Sequence, residues 1–122
     1  MKKILFILCL LSADTAFATW TFVGKNNAGT LFYEYESVKK DGDLITVFVY
    51  TDFNIRQSAG EISALYQVTF RCSKPDEVHL IYAKIFKDSG LRDFISEESG
   101  NQKFEVNSSS PFKPLINLQC HL

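Results

Sequence analysis

Strand-like runs and turn signals follow one another along almost all of this chain, and several runs alternate apolar and polar residues with a period of two, the signature of half-buried β-strands. Over Thr19–Val23, Trp20 and Phe22 share one side, and the pattern breaks at Asn26-Asn27-Ala28-Gly29. Leu31–Val38 follows, with Leu31, Tyr33 and Tyr35 on one side. Asp41-Gly42-Asp43 then separates two strand-like runs, which predicts a hairpin. Leu44–Phe53 is rich in β-branched and aromatic residues, and Asn54–Gly60 is a polar break. In Leu65–Cys72, Tyr66, Val68, Phe70 and Cys72 point one way, and Gln67, Thr69 and Arg71 the other. Ser73-Lys74-Pro75-Asp76 closes that strand, Val78–Lys87 forms the next, and Lys87-Asp88-Ser89-Gly90 turns the chain. Two weaker strands, Leu91–Ile95 and Lys103–Val106, flank Glu97-Glu98-Ser99-Gly100-Asn101.

The C-terminal segment changes period. Ser110 followed by Pro111 suits a helix start, and Phe112, Leu115, Ile116 and Gln119-Cys120 fit a helical spacing, so a short helix is expected over Pro111–Cys120. Two strands are apolar on both sides. Leu44, Phe48 and Tyr50 oppose Ile45, Val47, Val49 and Phe53, while Val78, Leu80, Tyr82 and Phe86 oppose Ile81, Ala83 and Ile85. Such strands lie centrally and are covered twice. The expected fold is mainly β (α+β): an antiparallel sheet of about six strands with one short helix on part of one face. The other face must curl on itself, pack on loops, or meet another chain, a homodimer included.

The first 18 residues read as a secretory signal peptide. Lys2 and Lys3 precede the apolar run Ile4–Leu11, and Ala16-Phe17-Ala18 offers a cleavage site. The run is shorter than the roughly 20 apolar residues that span a bilayer, so no integral membrane segment is expected after cleavage at Thr19. Cys9 lies inside the apolar core behind Leu8, not at a lipidation site. Residues 19–122 form one domain of 104 residues. Without Lys2, Lys3 and Asp14 it keeps 11 basic and 13 acidic residues, a net charge near −2. No basic stripe is present, so nucleic acid is not an expected partner.

Cleavage also leaves two of the three cysteines, Cys72 and Cys120. In an exported chain they have one possible pairing, and a structural disulfide is expected over a metal site or catalytic thiol. The chain-entropy value of such a staple is about 4 kcal/mol.

Little else points to chemistry. His79 and His121 are the only histidines, and His79 is expected on the Ile81, Ala83, Ile85 side of its strand. No nucleophile elbow, Cys/His pair or phosphate loop is present. Asp41-Gly42-Asp43 lacks the remaining ligands of a calcium loop. The chain is expected to be no enzyme and to carry no cofactor or metal. Aromatic residues are its one excess, at 14%. Tyr33, Tyr35, Phe48, Tyr50, Tyr66, Phe70, Tyr82 and Phe86 serve either as core or as an exposed aromatic surface. Tyr33, Tyr35, Phe48 and Tyr50 are the candidate binding face.

The early Trp20, the stretch Phe32-Tyr33-Glu34-Tyr35-Glu36-Ser37-Val38-Lys39-Lys40-Asp41-Gly42 and the apolar strand after it occur in a telling order. Val68-Thr69-Phe70-Arg71-Cys72 and a last-residues cysteine after a Ser-Pro turn complete the set. In these features the chain resembles the surface-adhesin protein E family of exported bacterial domains. The resemblance implies an antiparallel sheet of about six strands with a C-terminal helix. For the family's namesake it implies surface display and binding of host proteins. The chain departs from the pattern at Glu34, where aspartate is usual, at Phe48, where tryptophan is frequent, and in lacking a lipidation cysteine. The expected function is an exported, non-catalytic binding module for host or envelope proteins, located in the periplasm, outside the cell or at its surface. The alternative is a periplasmic carrier of a small apolar ligand.

Overall fold

The structure is a computed structural model and describes residues 20–121. The expected signal peptide, residues 1–18, lies outside the described residues. Seven strands and one helix follow in the order β1 Trp20–Lys25, β2 Gly29–Glu34, β3 Lys39–Asp41, β4 Leu44–Phe53, β5 Ser63–Arg71, β6 Lys74–Phe86, β7 Phe94–Glu105 and α1 Phe112–Cys120. All pair antiparallel in one sheet, in the spatial order β1-β2-β4-β5-β6-β7, with β3 also on β4. This is the expected mainly-β fold with its short C-terminal helix.

The expected strand Leu31–Val38 is interrupted. β2 pairs with the Val49–Phe53 half of β4, and β3 pairs with Leu44–Thr46. Between them a 3₁₀ turn over Tyr35–Ser37 lifts the chain off the ladder. The orphaned Phe48 amide donates instead to Ser37 Oγ at 3.0 Å, and that hydroxyl donates to Glu34 O at 2.8 Å. One serine thus replaces a missing strand contact, as a buried backbone donor requires. At the start of β2, Gly29 lies so close to β4 that a Cβ there would sit 2.3 Å from Asp52 O. Gly42, at φ 65°, makes the expected turn between β3 and β4.

Two further segments depart from the simple alternation. In β6, Tyr82 pairs with Gln67 but Leu80 pairs with Val68, so Ile81 is an extra residue in a β-bulge. The bulge keeps Val78, Leu80, Ala83 and Ile85 on the helix side, opposite the expectation for the first two. His79, Tyr82 and Phe86 consequently face the other way, and His79 does not share the side of Ala83 and Ile85. Glu97–Asn101, expected as a break, lies within the 12-residue β7. This edge strand needs to satisfy only one neighbour, β6.

The core lies between the sheet and α1. Leu31, Tyr33, Ile45, Val47, Val49, Val68, Phe70 and Val78 meet Leu115 and Ile116 of the helix. Phe112 and Cys120 complete the helix's inward stripe, at the spacing the sequence predicted. Ser110 Oγ accepts from the Phe112 amide at 3.2 Å, and His121, at φ 58°, ends the helix in a left-handed cap. Cys120 is bonded to Cys72 at the end of β5, with Cα atoms 5.5 Å apart. Asp43 secures the same end of the sheet. Its carboxylate accepts from Arg71 Nη1 at 2.9 Å and from the Ser73 amide and hydroxyl. The Ser73 hydroxyl, above all, holds the Asp43 carboxyl below its ordinary range.

Candidate binding face

Among the described residues, no second layer covers the face away from α1. Its residues follow from register: Phe22, Phe32, Tyr50, Leu65 and Lys84 form one row across β1, β2, β4, β5 and β6. Beside that row Trp20 pairs with Glu34, and Phe48, Gln67 and Tyr82 line up across β4, β5 and β6. The β1–β4 side of this open face is therefore aromatic and the β5–β7 side mixed. Phe32 stacks on Tyr50 at 5.4 Å between centroids and 18° between planes. Trp20 tilts against Tyr50 at 5.7 Å, and Phe22 meets Phe32 edge-on at 6.1 Å. These are the offset and edge geometries that aromatic quadrupoles favour. Phe22 is 58% exposed even so, a large apolar ring left in water at the edge strand.

A loop after β6 borders the aromatic row. Asp88 organises it: Oδ1 accepts from the Asp93 amide at 2.8 Å and the Arg92 amide at 3.1 Å, and Oδ2 accepts from Arg92 Nε at 3.2 Å. The Asp93 amide is the largest cause that holds the Asp88 carboxyl below its ordinary range. Buried Ser63 donates its hydroxyl to the Asp88 carbonyl, and Ser89 Oγ donates to Asp52 Oδ1 at 2.8 Å. Within this brace Leu91 stands at φ 61°, a left-handed conformation rare for a leucine. Trp20, Tyr50 and Gly90–Arg92 enclose an open cavity of about 370 Å³. Burial, reinforced by the charge of Asp52, pushes the Tyr50 phenol up from its ordinary value.

The polar side of the face pairs internally. Tyr82 donates to Glu97 Oε1 at 2.6 Å, and that bond raises the phenol's pKa. Lys84 Nζ lies 5.8 and 5.2 Å from the Phe86 and Phe94 ring centres. His79 sits between Asn101 Oδ1 at 2.8 Å and Glu77 Oε1 at 3.3 Å. Among the described residues, no group of three or more His, Cys, Asp or Glu side chains is placed to hold a metal.

No protein-family model matches the chain, and no curated protein matches it in sequence. Solved structures do match. Crystal form II of Haemophilus influenzae protein E has 8% identity and a TM-score of 0.62, over 85% of this chain and 88% of that one. The selenomethionine form of the same protein has 7% identity and a TM-score of 0.62, over 85% and 87%. Protein E from non-typeable Haemophilus influenzae has 7% identity and a TM-score of 0.60, over 93% and 83%. The fold is similar to that of protein E. At so low an identity the likeness to protein E is one of fold, and the chemistry of the open face has to be argued from this chain's residues.

The four residues of the expected binding face do not come together. Tyr33 is buried in the core on the helix side, whereas Tyr35 is 65% exposed in the 3₁₀ turn that ends strand β2. Phe48 and Tyr50 share the open face. Of the wider aromatic set, Tyr66 and Phe70 belong to the helix side, and Tyr82 and Phe86 to the open face. Three members of the aromatic row, Trp20, Phe22 and Phe32, were not among the expected site residues. The alternation of Trp20 and Phe22 in β1 held the signal, but the pairing of β1 with β2 that brings Phe22 to Phe32 is set by register, not by local pattern.

Proposed function

We propose that this chain is an exported, non-catalytic binding module that grips a protein partner through the aromatic half of its open face. The observation that carries the reading is the continuous ring row Phe22–Phe32–Tyr50 with Trp20, which has no second layer over it among the described residues. Aromatic rings of this kind supply the energetic centre of protein interfaces because they bury large area at small entropic cost. The resemblance to the surface-adhesin protein E family supports a host or envelope protein as the partner. The fold's likeness to protein E agrees with that resemblance. The non-catalytic reading rests on the reactive groups among the described residues: Cys72 and Cys120 are bonded together, His79 is held between Asn101 and Glu77, and His121 caps the helix.

The apolar-ligand alternative draws less support: the cavity beside Leu31, Phe53 and Phe112 holds about 180 Å³, below the roughly 300–1,000 Å³ usual for small ligands, and the cavity of about 370 Å³ beside Trp20 and Tyr50 opens within the aromatic face itself.

Trp20 is the chain's single tryptophan and lies in the proposed interface, so its emission reports on binding. A cross-linked pull-down from the native compartment identifies the partner, and titration with it should shift Trp20 emission. Phe22→Ser should weaken that binding about tenfold or more, the loss expected of an interface anchor. Leu118→Ser, on the exposed side of α1, should leave it unchanged. Equal affinity for both variants, with no change in emission, would overturn the proposal.

A further inference from the structure

The cavity beside the aromatic row, about 370 Å³ lined by Trp20, Tyr50, Gly90, Leu91 and Arg92, has walls that are already in place. One wall is fixed by ring contacts, since Tyr50 meets Trp20 at 5.7 Å and Phe32 at 5.4 Å between centroids. The other is the loop after β6. Asp88 holds it by accepting from the Arg92 and Asp93 amides and from Arg92 Nε, while Ser63 and Ser89 tie it to β5 and to Asp52 of β4. The left-handed backbone of Leu91, at φ 61°, persists because these bonds over-determine it, a condition common at ligand clamps. A guest entering such a preformed cavity orders little that was free, so more of its contact energy appears as affinity.

The charges around the cavity select its guest. Of the lining residues, Arg92 alone is charged. Its Nε is engaged by Asp88 Oδ2 at 3.2 Å, and among the described residues its Nη1 and Nη2 make no hydrogen bond. The guanidinium is thereby held beside Gly90, where a Cβ would meet Nε at 3.7 Å. Asp52 and Asp88 lie close enough to Tyr50 that, after burial, their charges raise its phenol. A cationic guest therefore meets Arg92, and an anionic guest meets Asp52 and Asp88, so neither sign is favoured. Among neutral side chains an aromatic one gains most. It packs edge-on or offset against Trp20 and Tyr50, and its negative face meets the guanidinium.

We propose that this cavity is an anchor pocket of the open face and takes a neutral aromatic side chain, phenylalanine, tyrosine or tryptophan, that projects from the partner protein. The inference rests on the reading of the open face as a protein-binding surface and adds what the partner presents to it. A ring seated in a preformed pocket is the usual energetic centre of a protein interface.

The test titrates small probes into the oxidised, isotope-labelled protein and follows amide and indole shifts by nuclear magnetic resonance. N-acetylphenylalaninamide should bind saturably at millimolar concentration, with its largest shifts at the Trp20 indole and the Gly90–Arg92 amides. N-acetylleucinamide, equally neutral, should bind more weakly. So should phenethylamine and phenylpropionate, which carry the same ring with a charge of either sign. Arg92→Gln, at a side chain 83% exposed, should lower affinity for the aromatic amide about two- to fivefold, the loss of one cation–π contact, and leave the leucine amide unchanged. Phe22→Ser, outside the cavity lining, should alter none of these affinities. Equal binding of the two amides, tighter binding of either charged probe, undiminished aromatic affinity in a folded Arg92→Gln protein, or shifts that avoid the cavity would each overturn the proposal. Methyl glucoside binding more tightly than the aromatic amide would overturn it as well, by making the cavity a sugar site. None of these results bears on whether the face holds a protein, which the affinity of Phe22→Ser for the partner decides separately.

Discussion

Removing the Cys72–Cys120 bond should lower stability steeply while leaving the fold in place. The bond closes a segment with a sequence separation of 48. For a loop of that length the chain-entropy relation gives about 4 kcal/mol at 25 °C, nearly all of it exerted on the unfolded chain. The folded state retains other anchors for α1. Leu115 and Ile116 are fully buried, each worth about 1.5–3 kcal/mol, and Lys40 Nζ donates to Gln119 O at 3.3 Å near the helix end. The double variant Cys72→Ser/Cys120→Ser should therefore keep its far-ultraviolet circular dichroism. Its urea midpoint should fall by about 2–4 M and its Tm by about 15–30 °C. The slope of the urea transition should rise, because the unfolded chain without its staple exposes more surface. A loss below about 1 kcal/mol, or free thiols in the oxidised protein by mass spectrometry, would refute this reasoning.

Further outcomes follow from single contacts. Gly29→Ala should destabilise by about 1–3 kcal/mol in urea unfolding, because its Cβ would press on the β4 backbone at Asp52 O. The half-buried Tyr66 phenol is pushed from 10.0 up to about 12, chiefly by burial and then by Glu61. Its contribution is complete below pH 10 and is lost as the pH rises through about 12; a gap of that size is worth about 2–3 kcal/mol, and Tyr66→Phe should flatten this alkaline arm of the stability profile. The Asp88 carboxyl is shifted in the opposite direction, so its stabilisation holds above the ordinary value of 3.8 and fades as the pH falls through its lowered value. Asp88→Asn should speed hydrogen exchange at the Arg92 and Asp93 amides near neutral pH, where the wild-type carboxylate accepts both.

Much of the fold is legible in the chain because local pattern and burial agree. Leu44–Phe53 is rich in β-branched and aromatic residues, apolar on both sides, and forms β4 over the same residues, with Ile45, Val47 and Val49 in the core. The spacing of Phe112, Leu115, Ile116 and Cys120 carries the helix for the same reason. What alternation does not encode is the insertion of one residue. The bulge at Ile81 exchanges the sides of everything before it, and the 3₁₀ turn at Tyr35–Ser37 takes Tyr35 off the strand. Both are stabilised by partners distant in sequence: β5 and β7 for the bulge, the Phe48 amide for the turn. The long β7 is hidden for a different reason, since polar residues and Gly100 are poor strand formers that an edge tolerates. The aromatic row is only half legible. Composition announces the excess of rings, but which rings meet depends on how β1, β2 and β4 align.

Site-specific photo-cross-linking in native cells tests the central claim, that the aromatic half of the open face holds a protein partner. A photoreactive phenylalanine analogue at position 22 stands at the exposed end of the row, and one at position 118 stands on the outer side of α1. The account predicts one discrete adduct from position 22, abolished by Phe32→Ser, and none from position 118. No adduct from position 22, or the same adduct from both positions, would contradict it.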